Sequence, residues 1–151
     1  MPVEFRNVDA SLTDDVHSWP YEGLVTVIDR GLVRDWQPIF AELRRSPWGR
    51  VARRVEQYLS YREPDGVSTL FALAIERARV DADQADRSEV AVRIRDAVTR
   101  SELTNAEFAR IVGTSASRLS TYLSGKVTPS AAMLVRIERA SRGLHQTSAI
   151  G

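Results

Sequence analysis

Apolar positions recur at helical spacing along most of the chain, and proline, glycine and serine punctuate them into segments. Leu24, Val25, Val27 and Ile28 lie between Ser18-Trp19-Pro20 and Gly31. That pattern predicts a helix from Ser18 to Gly31 with a serine cap, a proline in the first turn and a glycine stop. Asp35 is the expected cap of a second helix, with Pro38 in its first turn, where a missing N–H costs nothing, and Ile39, Phe40 and Leu43 along one side. Ser46-Pro47 announces a third, running to about Tyr61 with Val51, Val55, Tyr58 and Leu59 at helical intervals. Pro64-Asp65-Gly66 reads as a turn. From Val67 to Arg100 no residue breaks a helix, but the two halves bury different faces and Asp86 with Glu89 can form a capping box. A break or kink near Asp86-Arg87-Ser88 is therefore expected. Residues 1 to 17 show no sustained period beyond a short extended piece from Val3 to Val8.

The C-terminal third is patterned more tightly. Thr104 with Glu107 forms a capping box, and Phe108, Ala109 and Val112 follow on one face of the helix it opens. Gly113 ends that helix at a sharp bend, where positive φ is admissible without a Cβ clash. Ser115 caps the next helix, in which Leu119, Tyr122 and Leu123 point inward while Ala116, Ser117, Arg118 and Thr121 point out. Gly125 closes it. A helix, a tight turn and a short helix with small polar residues outside have the geometry needed to lay a helix in a major groove. A preceding helix, Ser88 to Arg100, offers Val90, Ile94 and Val98 as its core face.

Over about residues 88 to 142 these motifs resemble the Xre or Cro and phage-repressor family of helix-turn-helix proteins. The resemblance is carried by Leu103-Thr104-Asn105-x-Glu107-Phe108-Ala109, Gly113-Thr114-Ser115, Leu119-Ser120, Gly125-Lys126-x-x-Pro129-Ser130 and Leu134-x-x-Ile137. It implies an all-α fold with a helical N-terminal module followed by a lambda-repressor-like DNA-binding domain. It also implies roles by position: Asn105 ties the first of the two helices to a phosphate; Ala116, Ser117 and Thr121 on the helix capped by Ser115 meet base edges; and the loop Ser124 to Thr128, with Lys126, contacts the backbone. The chain departs from the family's usual pattern in placing this module after the helical one, in offering little for a fifth helix beyond Gly143, and in the side chains of the reading helix. Many members carry long amides where this one has Ala116, Ser117 and Thr121, and these short side chains cannot make glutamine's bidentate contact with adenine. Arg118 remains, able to grip guanine O6 and N7 or to lie along a phosphate; a thymine methyl against Ala116 and DNA shape are further sources of preference.

Charge first argues against a polyanionic partner, because 21 basic and 20 acidic residues leave a formal charge of only +1. Divided by segment it says the opposite. Residues 1 to 80 hold 11 basic and 12 acidic side chains, residues 81 to 87 one and three, and residues 88 to 151 nine and five, so a front of −3 precedes a C-terminal stretch of +4. Aromatics segregate the other way, nine of eleven preceding residue 72, and the three tryptophans Trp19, Trp36 and Trp48 are expected in a small N-terminal core. These shifts predict a helical module over 1–80 for dimerisation, sensing or partner binding, a linker or kinked connecting helix over 81–87, the DNA-binding domain over 88–142 and a flexible tail over 143–151.

The 20 arginines beside one lysine reflect coding bias more simply than function. Arg93, Arg95, Arg100 and Arg110 read as solvated helix faces, one or two of them within reach of phosphate, and Arg136, Arg139 and Arg142 lie farther from DNA. The cluster Arg44, Arg45, Arg50, Arg53 and Arg54 fits an acidic partner, DNA or a plain solvated face. Tyr122 reads as core rather than a stacking platform for bases. With no cysteine and two isolated histidines, His17 and His145, neither a metal, a cofactor nor an enzymatic reaction is expected. No apolar run approaches a membrane span and no signal peptide pattern opens the chain, so a cytoplasmic location is expected.

Two functions follow from this reading. One is a transcriptional regulator, in the main a repressor, bound to duplex DNA as a homodimer whose contacts come from the front module or the connecting helix. The other is an antitoxin-type interaction protein that holds a partner, such as a toxin, through residues 1–80 and represses its own operon.

Overall fold

The computed structural model describes residues 15–148, which contain seven α-helices and no strand, so the all-α expectation is met. The expected extended piece Val3 to Val8 lies outside the described residues. The chain divides into two compact units, residues 1–82 and 83–151.

In the first unit a single 3-10 turn, Val16–Ser18, leads into α1 (Tyr21–Arg30), α2 (Val33–Arg45), α3 (Arg50–Tyr61) and the beginning of α4 (Gly66–Ser101). Their apolar stripes converge on a core containing Trp19, Leu24, Ile28, Ile39, Leu43, Val55 and Phe71. The Trp36 ring meets Phe71 edge-on with centroids 5.5 Å apart, Phe40 stacks on the same ring at 4.9 Å, and the Trp36 indole N–H donates to the Val27 carbonyl at 2.9 Å. Trp48, expected in this core, is instead 54% exposed on the turn before α3.

The helices begin later or earlier than their punctuation suggests. Ser18 sits in the 3-10 turn and bonds back to the Asp15 carbonyl, and Pro20 stands at the start of α1. In α2 the start moves forward to Leu32, whose N–H donates to Asp35 Oδ2 at 2.7 Å, so Asp35 is a third-position acceptor rather than the cap. Pro38 consequently falls in the second turn, where its absent N–H forgoes one intrahelical bond. Ser46-Pro47 forms a turn closed by the Gly49 N–H on the Ser46 carbonyl at 3.0 Å, and α3 begins only at Arg50. Gly31 does stop α1, but its φ of −74° needs no glycine; a Cβ there would lie 2.3 Å from the Val27 carbonyl oxygen.

The turn at Pro64-Asp65-Gly66 is itself a cap. Asp65 Oδ1 accepts the Ser68 N–H and Ser68 Oγ accepts the Asp65 N–H, both at 2.8 Å, which sets the start of α4. Arg62 bridges Asp65 at 2.6 Å and Asp29 at 2.9 Å, and the Tyr58 hydroxyl also donates to Asp29. This network joins the ends of α1 and α3 to the start of α4.

Of the break or kink expected near Asp86-Arg87-Ser88, the break is absent: α4 runs for 36 residues without interruption. The buried face does change along the helix but requires no break, because one helix can give Phe71 and Ile75 to one core and Ile94, Ala97 and Val98 to another. Between Asp81 and Glu89 every residue except the half-buried Ala82 is exposed, and Asp86 and Glu89 form no cap. Good helix formers and the i,i+4 pairs Arg77–Asp81 at 3.1 Å and Arg87–Asp83 at 2.8 Å sustain the helix there.

The second unit contains the rest of α4 with α5 (Asn105–Val112), α6 (Ala116–Leu123) and α7 (Ala131–Ser148). Ile94, Ala97, Phe108, Ala109, Leu119 and Ile137 form its core. α7 continues as helix through Gly143 to Ser148; half-buried Leu144 extends the stripe of Ile137 and Ser141, and residues 149–151 lie outside the described part.

Candidate nucleic-acid interface

The angle between α5 and α6 is built by local chemistry. The Glu107 N–H donates to Thr104 Oγ1 at 3.2 Å and the Thr104 N–H donates to Glu107 Oε2 at 3.0 Å, the reciprocal cap read from the sequence. Gly113 has φ +80°, its N–H donates to the Arg110 carbonyl at 3.3 Å, and the Thr114 N–H donates to the Ala109 carbonyl at 2.9 Å, which completes a Schellman closure of α5. Ser115 Oγ then accepts the Arg118 N–H at 3.1 Å and starts α6. Phe108, Ala109 and Val112 of α5 and Leu119 and Tyr122 of α6 are all buried, so packing holds the two helices in one geometry.

That packing turns one face of α6 to solvent. Ala116, Ser117 and Arg118 are exposed, Thr121 is half-buried beside them, and Ser124, Lys126 and Thr128 are exposed in the following loop, where Gly125 has φ +78°. Asn105 is exposed at the first position of α5. Several of the hydroxyls already have work within the helix. Ser115 Oγ lies 3.3 Å from Ser117 Oγ, Thr121 Oγ1 donates to the Arg118 carbonyl at 2.6 Å, and Ser124 Oγ donates to the Thr121 carbonyl at 3.2 Å. Arg118, the longest donor on this face, folds along the helix: its Nε donates to the Tyr122 hydroxyl at 3.0 Å.

Other arginines of this unit act structurally, which their sequence positions did not reveal. Arg95 Nη1 donates to the Leu123 carbonyl at 2.7 Å and closes α6, while Arg136 Nη1 donates to the Val112 carbonyl at 3.2 Å and closes α5. Arg93 pairs with Glu138 at 2.6 Å and joins α4 to α7. Arg93 and Arg95 are thus staples rather than plain solvated faces. Among the described residues, the side chains of Arg100, Arg110, Lys126, Arg139 and Arg142 are exposed and without such partners. Lys126, Val127 and Thr128 share a shallow groove with Asp83, Asp86, Arg87 and Val90 of α4, so two carboxylates stand near the lysine-bearing loop.

Helices and turns of this kind define a helix-turn-helix domain, and comparison with protein families gives the same answer: the helix-turn-helix family matches residues 94–140. Over this stretch the chain is similar to the Xre, lambda-repressor-like helix-turn-helix family, a DNA-binding regulatory type. Neither the curated proteins nor the solved structures yield a match. No helix among the described residues is long and apolar enough to cross a membrane, and no cluster of three or more histidine or acidic side chains there could hold a metal ion.

Proposed function

We propose that the protein is a sequence-specific transcription regulator, acting as a repressor, that reads duplex DNA by laying α6 in the major groove. The observation that carries this reading is the exposed face Ala116-Ser117-Arg118-Thr121, held at a fixed angle by the Gly113 turn inside a domain of the matched family. Asn105, Ser124, Lys126 and Thr128 flank that face as phosphate contacts, and Ser115 caps the helix that carries it. The test is selection of fragments from a random duplex pool by the purified full chain. A recurrent motif supports the reading, and no enrichment overturns it.

A dimer suits this function, because one recognition helix spans only a few base pairs and two copies reach half-sites about one turn, ~34 Å, apart. The surface that supports it is the stripe Leu70, Leu73 and Val80 on α4, exposed by 41, 56 and 56%. Its 3- and 7-residue spacing gives one continuous ridge, flanked by Glu76 and by the Arg77–Asp81 ion pair. A partner-binding role of the antitoxin kind is favoured by a different set, Leu32, Val33, Trp48 and Tyr61, exposed by 54% or more in the same unit. Co-expression with the product of the adjacent gene separates the two: a co-purifying complex that Trp48→Ser or Tyr61→Ser disrupts supports partner binding.

A further inference from the structure

We infer that Tyr122 is a positioning residue for base reading: its hydroxyl holds the Arg118 guanidinium as a preset fork directed at a guanine. The inference deepens, and rests on, the DNA-reading function proposed above. Arg118 is the third residue of α6 and exposed; its Nε donates to the Tyr122 hydroxyl at 3.0 Å, and its Cζ stands 5.9 Å from the Tyr122 ring centroid. The tyrosine ring is an anchor because it belongs to the core: Tyr122 is 4% exposed, beside fully buried Leu119. A hydroxyl on a core-packed ring holds a long side chain that would otherwise be free to choose among many rotamers, so ordering is done before DNA arrives.

What the anchor leaves open is the useful part. The Tyr122 contact uses Nε, and among the described residues no group occupies Nη1 or Nη2. Those two coplanar donors match the paired acceptors O6 and N7 on the major-groove edge of guanine. A base is the target rather than a phosphate because the N-terminal residues of a recognition helix are those that meet base edges. Ala116 has no polar atom, and the hydroxyls of Ser115, Ser117 and Thr121 are engaged within α6. Arg118 is therefore the one long donor at that end of the helix, and what orients it sets the preference.

The experiment uses the full chain and the duplex selected from the random pool, with each base pair of the site replaced in turn and each affinity measured across a salt series. Arg118→Ala flattens the preference for guanine at one base pair by roughly 5- to 150-fold. Tyr122→Phe lowers preference at that same pair by roughly 3- to 10-fold, the worth of one hydrogen bond, with salt slope and affinity for unrelated duplex unchanged. A purely structural role for the hydroxyl would lower all affinities together, and that result overturns the inference. An undiminished preference in Tyr122→Phe overturns it too, while leaving DNA reading intact. A uniform loss in Arg118→Ala, with the salt slope shallower by about one, assigns Arg118 to a phosphate and also overturns it. A wild-type chain that selects no sequence removes the DNA reading itself, and the inference with it.

Discussion

The guanidinium of Arg95 on α4 donates at 2.7 Å to the carbonyl oxygen of Leu123, the last residue of α6. A cation placed on the orphan carbonyls of a helix C-terminus both satisfies an acceptor and opposes the negative end of the helix dipole. Because Arg95 is exposed, Arg95→Ala is expected to cost only about 0.3–1 kcal/mol. All three tryptophans belong to the first unit, so their fluorescence will not register this loss. Amide exchange along Ala116–Leu123 is the measurement, and faster exchange confined to the end of α6 is the expected result.

Two helix ends make a matched pair of tests. Gly113 closes α5 at φ +80°, and a Cβ added there would meet nothing nearer than Arg136 Nη1 at 3.6 Å, so Gly113→Ala introduces backbone strain without a clash. The left-handed conformation sets that cost at about 1–2 kcal/mol. Glu102 ends α4 in the same conformation, φ +58°, although it is not glycine. Relief of strain in Glu102→Gly, less glycine's greater entropy loss of roughly 0.5–1 kcal/mol, leaves a small net gain. Thermal or urea unfolding should move in opposite directions for the two variants; equal and like shifts would contradict the strain argument.

For the DNA complex, Lys126→Ala should weaken binding to all sequences alike and make the slope of log K against log salt shallower by about one. An unchanged slope removes Lys126 from the phosphate contacts. Asp83 and Asp86 share its groove, so Asp83→Asn with Asp86→Asn should tighten binding, and the gain should fade at high salt.

Alkaline stability reports the first unit. Burial, and next the hydrogen bond to the Asp29 carboxylate, push the Tyr58 phenol up to about 12. The fold thus favours the protonated phenol over the unfolded chain, where it titrates near 10. Its contribution is complete below about pH 10 and is lost as the pH rises through about 12. Melting temperatures across that window should fall more steeply for the wild type than for Tyr58→Phe, which has no phenol to ionise. Parallel curves would show that the Tyr58–Asp29 contact carries no linked stability.

Self-association should depend on the α4 ridge. Leu73→Glu with Val80→Glu puts charge on residues that are already 56% exposed, so the fold is retained while the proposed dimer separates. Light scattering of the full chain at several concentrations is the check, and a wild type that stays monomeric throughout would sink the dimer proposal.

Much of the DNA-binding domain was legible in the chain because its signals are local. The Thr104–Glu107 box, the Gly113 bend, the Ser115 cap and the apolar positions Phe108, Val112, Leu119 and Tyr122 each act over three or four residues, and each stands where its spacing put it. Local signals failed where packing overrode them. Pro20, Pro38 and Pro47 suggest helix starts, but hydrogen bonds of Ser18, Asp35 and Ser46 place the caps two or three residues away. Likewise a change of buried face on α4 looked like a break, yet nothing in the backbone of residues 81–89 requires one.

By itself, then, the sequence determined the helical class, the helix-turn-helix and the outward face of α6, since capping, turn conformation and 3.6-residue periodicity are properties of short stretches. Only the tertiary structure decided what the arginines do. Arg93, Arg95 and Arg136 reach partners 24 to 45 residues away, and no periodicity encodes such a distance. Arg118 and Tyr122 lie one helical turn apart, and that spacing alone could have paired them. What only the folded chain shows is the contact itself, Arg118 Nε on the Tyr122 hydroxyl at 3.0 Å, made on a ring whose burial the apolar spacing already implied.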